Sequence, residues 1–254
     1  MRIAAVQHDI VWEDRDANLA RLAPQVGRAA AAGAELVLLS ETFSTGFSMT
    51  PGIGEPEGGP SSQFLVAQAA EHGVWVAGSC PEIAAGADLP FNSFVLAGPD
   101  GTVHRYRKLH PFTHGGEHER FRAGEGPVTV EIGGLRITPF VCYDLRFADV
   151  FWRAAPETDV YLVTANWPAV RRMHWQTLLQ ARAIENQAYV VGCNRVGPAG
   201  DGTEHAGDSR IVSPMGELLA TAAGVEALVL ADVDAAEVAA TRDRLRFLPD
   251  RRQW

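Results

Sequence analysis

A layered α/β sandwich is the fold class that this sequence predicts. Three observations carry the prediction. Strand and helix signals alternate along the chain, several strand-like runs meet in tight hairpins, and no low-complexity linker or short repeat divides them. A single domain over residues 1–254 is therefore expected.

The elements follow in order. "RIAAVQ" is a short apolar run suited to a buried strand. In "ANLARLAPQVGRAAAAGA", Leu19, Leu22, Val26 and Ala29 share one helical face, and Gly33 is the expected C-cap. Pro24 is expected near the first turn of that helix or at a kink. "ELVLLSE" is the next strand, ending at Glu41. "SSQFLVAQAAEHG" has a serine to cap its start and a glycine to stop it. "VWVAGS" is a strand, and "FNSFVLAGPDGTVHRYRK" is a hairpin turned by Pro99, Asp100 and Gly101. "VTVEIGGLRITPFVC" repeats that design around Gly133-Gly134. "VYLVTAN" is a strand, "MHWQTLLQARAIENQA" a helix and "AYVVGCNRVG" a strand. A hairpin, "SRIVSPMGELLATA", and a last strand, "ALVLADVD", complete the pattern.

Composition narrows the function. The chain is 46% hydrophobic, enough to bury a large core. Its formal net charge of -9 disfavours nucleic acid, since no basic excess exists to neutralise phosphates. The start, "MRIAAVQHDIVW", develops no signal-peptide core, and no apolar run approaches the length of a membrane span. Three cysteines, Cys80, Cys142 and Cys193, lie far apart and form no CxxC pair. A reducing cytoplasm is the expected setting.

Three strand ends carry chemistry: Glu41 after "ELVLLS", Lys108 after the Pro99–Gly101 hairpin, and Cys142 after "RITPFV". Each residue alone is ordinary in its position, and a lone cysteine after an apolar run is usually a packed core residue. Together they suit one reaction. Ligand sites form beyond the carboxyl ends of strands in open α/β sheets. A thiol is the nucleophile, and a neighbouring ammonium is expected to favour the thiolate. A carboxylate takes the thiol proton and later returns it to a leaving amine. The ammonium also stabilises an oxyanion. The set can hydrolyse an amide through an acyl-thioester.

The chain resembles the nitrilase superfamily of carbon–nitrogen hydrolases over essentially its whole length, within it the ω-amidase-like branch. The segments that carry the resemblance are "ETFSTGFSM", "GEHERFRAG", "CYDLRF", "ANWPAVRRMHW", "ARAIENQAYVVGCNRVG" and "GDSRIVSPMGE". The resemblance implies a four-layer αββα sandwich and a Glu41–Lys108–Cys142 triad. It implies protomers paired through their helical layers, giving a homodimer or a higher even-numbered assembly. It also implies a second glutamate, mapped to Glu117 rather than Glu119 by its spacing to Phe121, that holds the lysine and orients substrate. The Tyr143 backbone N–H is the expected oxyanion donor beside Lys108. Phe47, Asn166 and Trp167 are candidate pocket walls. Arg146 either grips a substrate carboxylate or pairs with an acid such as Asp144; the Arg171-Arg172 pair is a further source of a carboxylate-binding cation.

The expected substrate is a small amide bearing a carboxylate, a 2-oxo acid ω-amide first, with no cofactor and no metal. N-carbamoyl compounds, simple aliphatic amides and nitriles are the alternatives, because "HPFTHG" departs from the branch where the chain runs past the pocket. Two other classes stand against this reading, a metal-dependent hydrolase and a catalytically silent binding protein. His110, His114 and His118 recur at helical spacing, but Pro111 and Gly115-Gly116 make that segment a poor helix, and no HExxH is present. A silent binding protein would be expected to have lost part of the triad. Cys80 and Cys193 read as packing residues.

Overall fold

Interior strands bury both faces, and the two faces meet different neighbours. In β1 (Arg2–Gln7) Ile3 and Ala5 enter one apolar cluster while Ala4 and Val6 enter another. The same period of two recurs at Leu36 and Leu38 against Val37 and Leu39, and at Phe94 and Leu96 against Val95 and Ala97. One cluster fills the space between two sheets and continues beneath the helices on the second; the other lies between the first sheet and its helices. The computed structural model describes residues 1–252.

The remaining elements, in chain order, are α1 (Arg15–Ala31), β2 (Leu36–Leu38), β3 (Glu55–Pro56), α2 (Pro60–His72), β4 (Trp75–Ile83), β5 (Phe91–Ala97), β6 (Val103–Arg107) and α3 (Glu117–Arg120). They continue with β7 (Val130–Ile132), β8 (Leu135–Val141), α4 (Ala148–Ala154), β9 (Val160–Ala165), α5 (Arg172–Asn186) and β10 (Tyr189–Asn194). The last are β11 (Val196–Pro198), β12 (Glu204–Val212), β13 (Leu218–Ala223), β14 (Ala227–Asp232) and α6 (Ala235–Leu245).

One sheet has the order β14-β1-β2-β4-β5-β6, with β3 beside β4. The other has the order β11-β12-β10-β9-β8-β7, with β13 beside β12. Helices α1 and α2 cover the first sheet and α4 and α5 the second, which is the four-layer αββα sandwich. Helix α5 seats closely because Gly192 of β10 has no side chain: a Cβ there would stand 2.5 Å from Leu179 and 2.9 Å from Trp175.

Strand direction gathers the site. Strands β4 and β6 are both antiparallel to β5, so β2, β4 and β6 run the same way in the first sheet. Strands β8, β9 and β10 are parallel in the second. The segments after β2, β6, β8 and β9 carry Glu41, Lys108, Cys142 and Asn166.

Four local expectations need correction. Helix α1 starts earlier than its apolar face suggests, capped by Asp14, whose side chain accepts from Ala17 N. Pro24 therefore sits mid-helix, between the buried Leu22 and Val26, and not in the first turn. Helix α2 has no serine cap: Gly59 precedes Pro60, and the buried Glu55 accepts from Ser61 N while Glu82 accepts from Gly58 N. Glu55 supplies from β3 what a serine cap would supply locally, and Glu82 fixes the turn that leads into the helix. Strand β2 is three residues long, and Glu41 lies beyond it in a turn where Thr42 takes φ +42°. Lastly, the apolar pattern gives no sign of α4 or α6. Helix α6 starts on a side-chain cap instead, the Asp234 carboxylate accepting from Ala236 N.

Two histidines tie this fold to pH. His8 and His205 are both buried, and burial pushes each imidazole from its ordinary 6.5 down to about 4. Between those values the unfolded chain binds protons that the folded chain refuses. Stability at these sites therefore falls as pH falls from about 6.5 to about 4, by about 1.4 kcal/mol per pH unit for each histidine. Urea unfolding across this window is expected to show a shallower acid loss in His8→Asn than in the parent. Equal slopes would contradict it.

Candidate active site

The centre of the site is a buried ammonium. Lys108 follows β6, and its backbone N–H still donates to Asn92 O, so the sheet pairing fixes where its side chain starts. Its Nζ donates to Glu41 Oε1 at 2.9 Å and to Glu117 Oε2 at 2.7 Å. All three side chains are essentially inaccessible to solvent. Asn92 of β5 donates from Nδ2 to Glu41 Oε1 at 2.9 Å and to Glu117 Oε1 at 3.0 Å. The other Glu41 oxygen accepts from Asn166 N at 2.8 Å, and Phe112 N reaches Glu117 Oε2 at 2.6 Å. Phe47 lies with its ring centroid 5.2 Å from Lys108 Nζ.

Burial works against the Lys108 charge, but Glu117, Glu41 and Cys142 more than offset it, and the ammonium is held well above its ordinary range. Glu117 is shifted upward, by burial first, with Lys108 opposing. The lysine thus serves both carboxyl groups.

Cys142 stands at the exit of β8 with φ +44°, a left-handed conformation that costs a residue with a Cβ roughly 1–3 kcal/mol. Asp144 holds this elbow. Its fully buried carboxylate accepts from Val141 N at 3.1 Å, Tyr106 OH at 2.7 Å and His110 N at 2.9 Å, and it meets His110 Nδ1 at 2.8 Å. One carboxylate therefore ties the residue before Cys142 to the segment after Lys108. It is not the partner of Arg146.

Lys108 pulls the Cys142 thiol toward the thiolate, as expected, but it is outweighed. Burial, then the Glu41 charge, push Cys142 well above the ordinary cysteine range, and the opposing pull of Lys108 is smaller. A lysine already bound by two carboxylates has little field left for a third anion. Glu41 is the carboxylate that faces the thiol.

A cavity of about 680 Å³ opens above the thiol. Its lining includes Glu41, Phe47, Cys142, Tyr143, Arg146, Asn166 and Trp167, so seven of the nine residues singled out in the sequence meet here. Lys108 and Glu117 are the other two, bonded behind Glu41. Asn166 donates from Nδ2 to Glu41 O at 2.6 Å and Thr42 Oγ1 at 3.1 Å. Trp167 is 3% exposed and carries the Arg146 guanidinium 4.6 Å above its ring. The three histidines have separate surroundings. His110 stacks on Phe147, His114 lines the cavity, and His118 is exposed beside Glu119.

The family profile described as carbon-nitrogen hydrolase matches residues 2–243. The chain belongs to the carbon–nitrogen hydrolase family. It is 42% identical over 222 residues to an ω-amidase of Escherichia coli, covering 87% of this chain and 85% of that one. It is 31% identical to a 2-oxoglutaramate amidase of Bacillus subtilis, covering 87% and 86%. A solved carbon–nitrogen hydrolase superfamily protein of Xanthomonas campestris, carrying an arsenic adduct in its active site, superposes with a TM-score of 0.93 at 35% identity. That superposition covers 100% of this chain and 98% of the other. As a carbon–nitrogen hydrolase of the amidase type, this chain is a cysteine-dependent amidohydrolase.

Sequence reasoning missed Asn92 and Asp144. A signal existed for Asn92, a polar residue inside the apolar run "FNSFVLA". Asp144 is one of many acids near a strand end, and only its four partners distinguish it. Asp144→Asn would turn a donor toward Val141 N–H or His110 N–H and leave a buried group unpaired, at a cost of about 1–3 kcal/mol. It is expected to lower kcat and to change the iodoacetamide labelling rate of Cys142 in the folded protein, with the buried Cys80 and Cys193 unlabelled. Parental kcat and labelling would contradict the elbow role.

Proposed function

We propose that the protein hydrolyses the ω-amide of a short 2-oxo acid, releasing a 2-oxo diacid and ammonia. Cys142 attacks the amide carbon while Glu41 takes its proton. The carbonyl oxygen, now anionic, is met by the Lys108 ammonium and the Tyr143 backbone N–H. Glu41 gives the proton to the leaving nitrogen, ammonia departs, and an acyl-thioester remains. Water then attacks with Glu41 as base, a second oxyanion collapses, and the thiol is restored. Glu117 and Asn92 hold Lys108 and Glu41 in register throughout.

The observation that carries the substrate reading is Arg146. It lines the same cavity as Cys142, lies over the Trp167 ring, and pairs with no carboxylate among the described residues. Its guanidinium meets His174 Nδ1 at 3.4 Å instead. A half-buried guanidinium without an acid suits a substrate carboxylate at the far end of the cavity. The names of the relatives agree with this chemistry.

The test is ammonia release from a panel: 2-oxoglutaramate, 2-oxosuccinamate, glutamine, asparagine, a neutral aliphatic amide, an N-carbamoyl amine and a nitrile. The two 2-oxo amides are expected to lead by kcat/KM, and Cys142→Ala is expected to retain the fold and lose turnover. A better neutral amide, N-carbamoyl amine or nitrile would overturn the substrate; an active alanine variant would overturn the nucleophile.

We further propose that the chain acts as one domain, in the cytoplasm, as a homodimer or higher even-numbered assembly. Among the described residues no helix is long and apolar enough to cross a membrane. Trp152 of α4, Ile184 of α5 and Phe247 after α6 are 40–44% exposed, and such apolar exposure on the helical layer suits a partner. Light scattering at micromolar concentration is expected to give at least twice the chain mass, and a monomeric mass would reject the assembly.

A further inference from the structure

A second arginine stands beside the first. Arg171 also lines the cavity and, like Arg146, has no carboxylate partner among the described residues. The contrast with its neighbour is direct: Arg172 makes two bonds to Asp208, at 3.0 and 2.8 Å. Trp167 organises both free cations. Its ring carries Arg146, and its Nε1 donates to Arg171 O at 2.9 Å. The Arg171 guanidinium lies 5.7 Å from the ring centroid of Phe112, another residue of the cavity wall.

This arrangement is unfavourable without a ligand. Burial and then the Arg171 charge lower the Arg146 pKa, so the two cations oppose each other. Arg171 is also the N-cap residue of α5, a helix with no side-chain cap and no acid in its first turn, where a cation meets the positive helix end. Among the described residues the acids that line the cavity, Glu41, Asp201 and Glu204, form no ion pair with either guanidinium, and Glu41 pairs with Lys108. Asp201 and Glu204 act on Arg195, and Asp201 accepts from Thr203 N.

We infer that Arg171 is a specificity-determining residue: with Arg146 it forms a two-guanidinium wall that accepts a 2-oxo carboxylate and rejects an α-ammonium. The inference rests on the ω-amidase reading above. A 2-oxo acid ω-amide and the matching α-amino acid amide share carbon skeleton, amide and carboxylate. They differ in presenting a ketone oxygen or an ammonium beside that carboxylate. Two unpaired guanidinium groups can donate to the ketone oxygen and the carboxylate together, and they repel the ammonium.

Steady-state kinetics of Arg171→Gln and Arg171→Lys on 2-oxoglutaramate, L-glutamine and butyramide tests this. Arg171→Gln is expected to raise KM for 2-oxoglutaramate about 10-fold, leave butyramide within about twofold, and reduce the oxo-over-amino ratio of kcat/KM by at least about 10-fold. Arg171→Lys is expected to recover part of that ratio. Where glutamine turnover is too slow to measure, competitive inhibition by 2-oxoglutarate against L-glutamate reads the same ratio. An unchanged ratio, or an equal loss on all three substrates, overturns the role of Arg171. A parent enzyme that prefers butyramide overturns the ω-amidase reading itself, whatever the variants do.

Discussion

The ammonium of Lys108, buried between two carboxyl groups, is the constraint on which the rest of this structure depends. Taking one charge out of water costs several kcal/mol, and only full pairing recovers it. Here Glu41, Glu117 and Asn92 complete the set from separate segments: the turn after β2, the start of α3, and β5. The second sheet contributes too, since Asn166 after β9 donates its backbone N–H to Glu41. Removing Lys108 would strand two buried carboxyl groups with no cation, at about 3–5 kcal/mol. The stacking of the sheets and the geometry of the site are therefore one constraint, and neither can relax alone.

The nucleophile is held by a second bridge of the same kind. A cysteine at φ +44° persists only if its surroundings over-determine it. Asp144 provides that by binding Val141 N on the second sheet and the Tyr106 hydroxyl and His110 on the first-sheet side. The His110 ring then stacks on Phe147 at 3.8 Å, closing the elbow from the other side. The strain at Cys142 and the position of the segment after Lys108 are set by the same carboxylate.

Much of this was legible in the sequence, and the limits are physical. Period-two burial and the Gly133-Gly134 and Pro99–Gly101 turns are local, so strands and hairpins could be read directly. The fold class and the meeting of Glu41, Lys108 and Cys142 came from strand ends and from resemblance. What stayed hidden depends on long-range neighbours. Glu55 caps α2 from β3, so the serines at its start suggested the wrong cap. Asp144 acquires meaning only from Tyr106 and His110, more than thirty residues away. The upward shift of the Cys142 thiol stayed hidden because burial outweighs the pull of the neighbouring lysine, and burial depth is not written in a motif. The free Arg171 beside the paired Arg172 is likewise invisible until Asp208 is placed.

A thiol pushed above the ordinary cysteine range suits the proposed chemistry. With Cys142 protonated, the buried centre holds Lys108 between Glu41 and Glu117 and no further anion is forced into it. When Glu41 takes the thiol proton, its negative charge disappears as another develops on the substrate oxygen. Both positions lie beside the same ammonium. The attack therefore moves a charge across Lys108 and creates none in a region of low dielectric, so little reorganisation accompanies it. The return of the proton to the leaving nitrogen reverses the shift. A resting thiolate would place a third anion against one cation already shared by two carboxyl groups, and the attack would begin by losing that pairing.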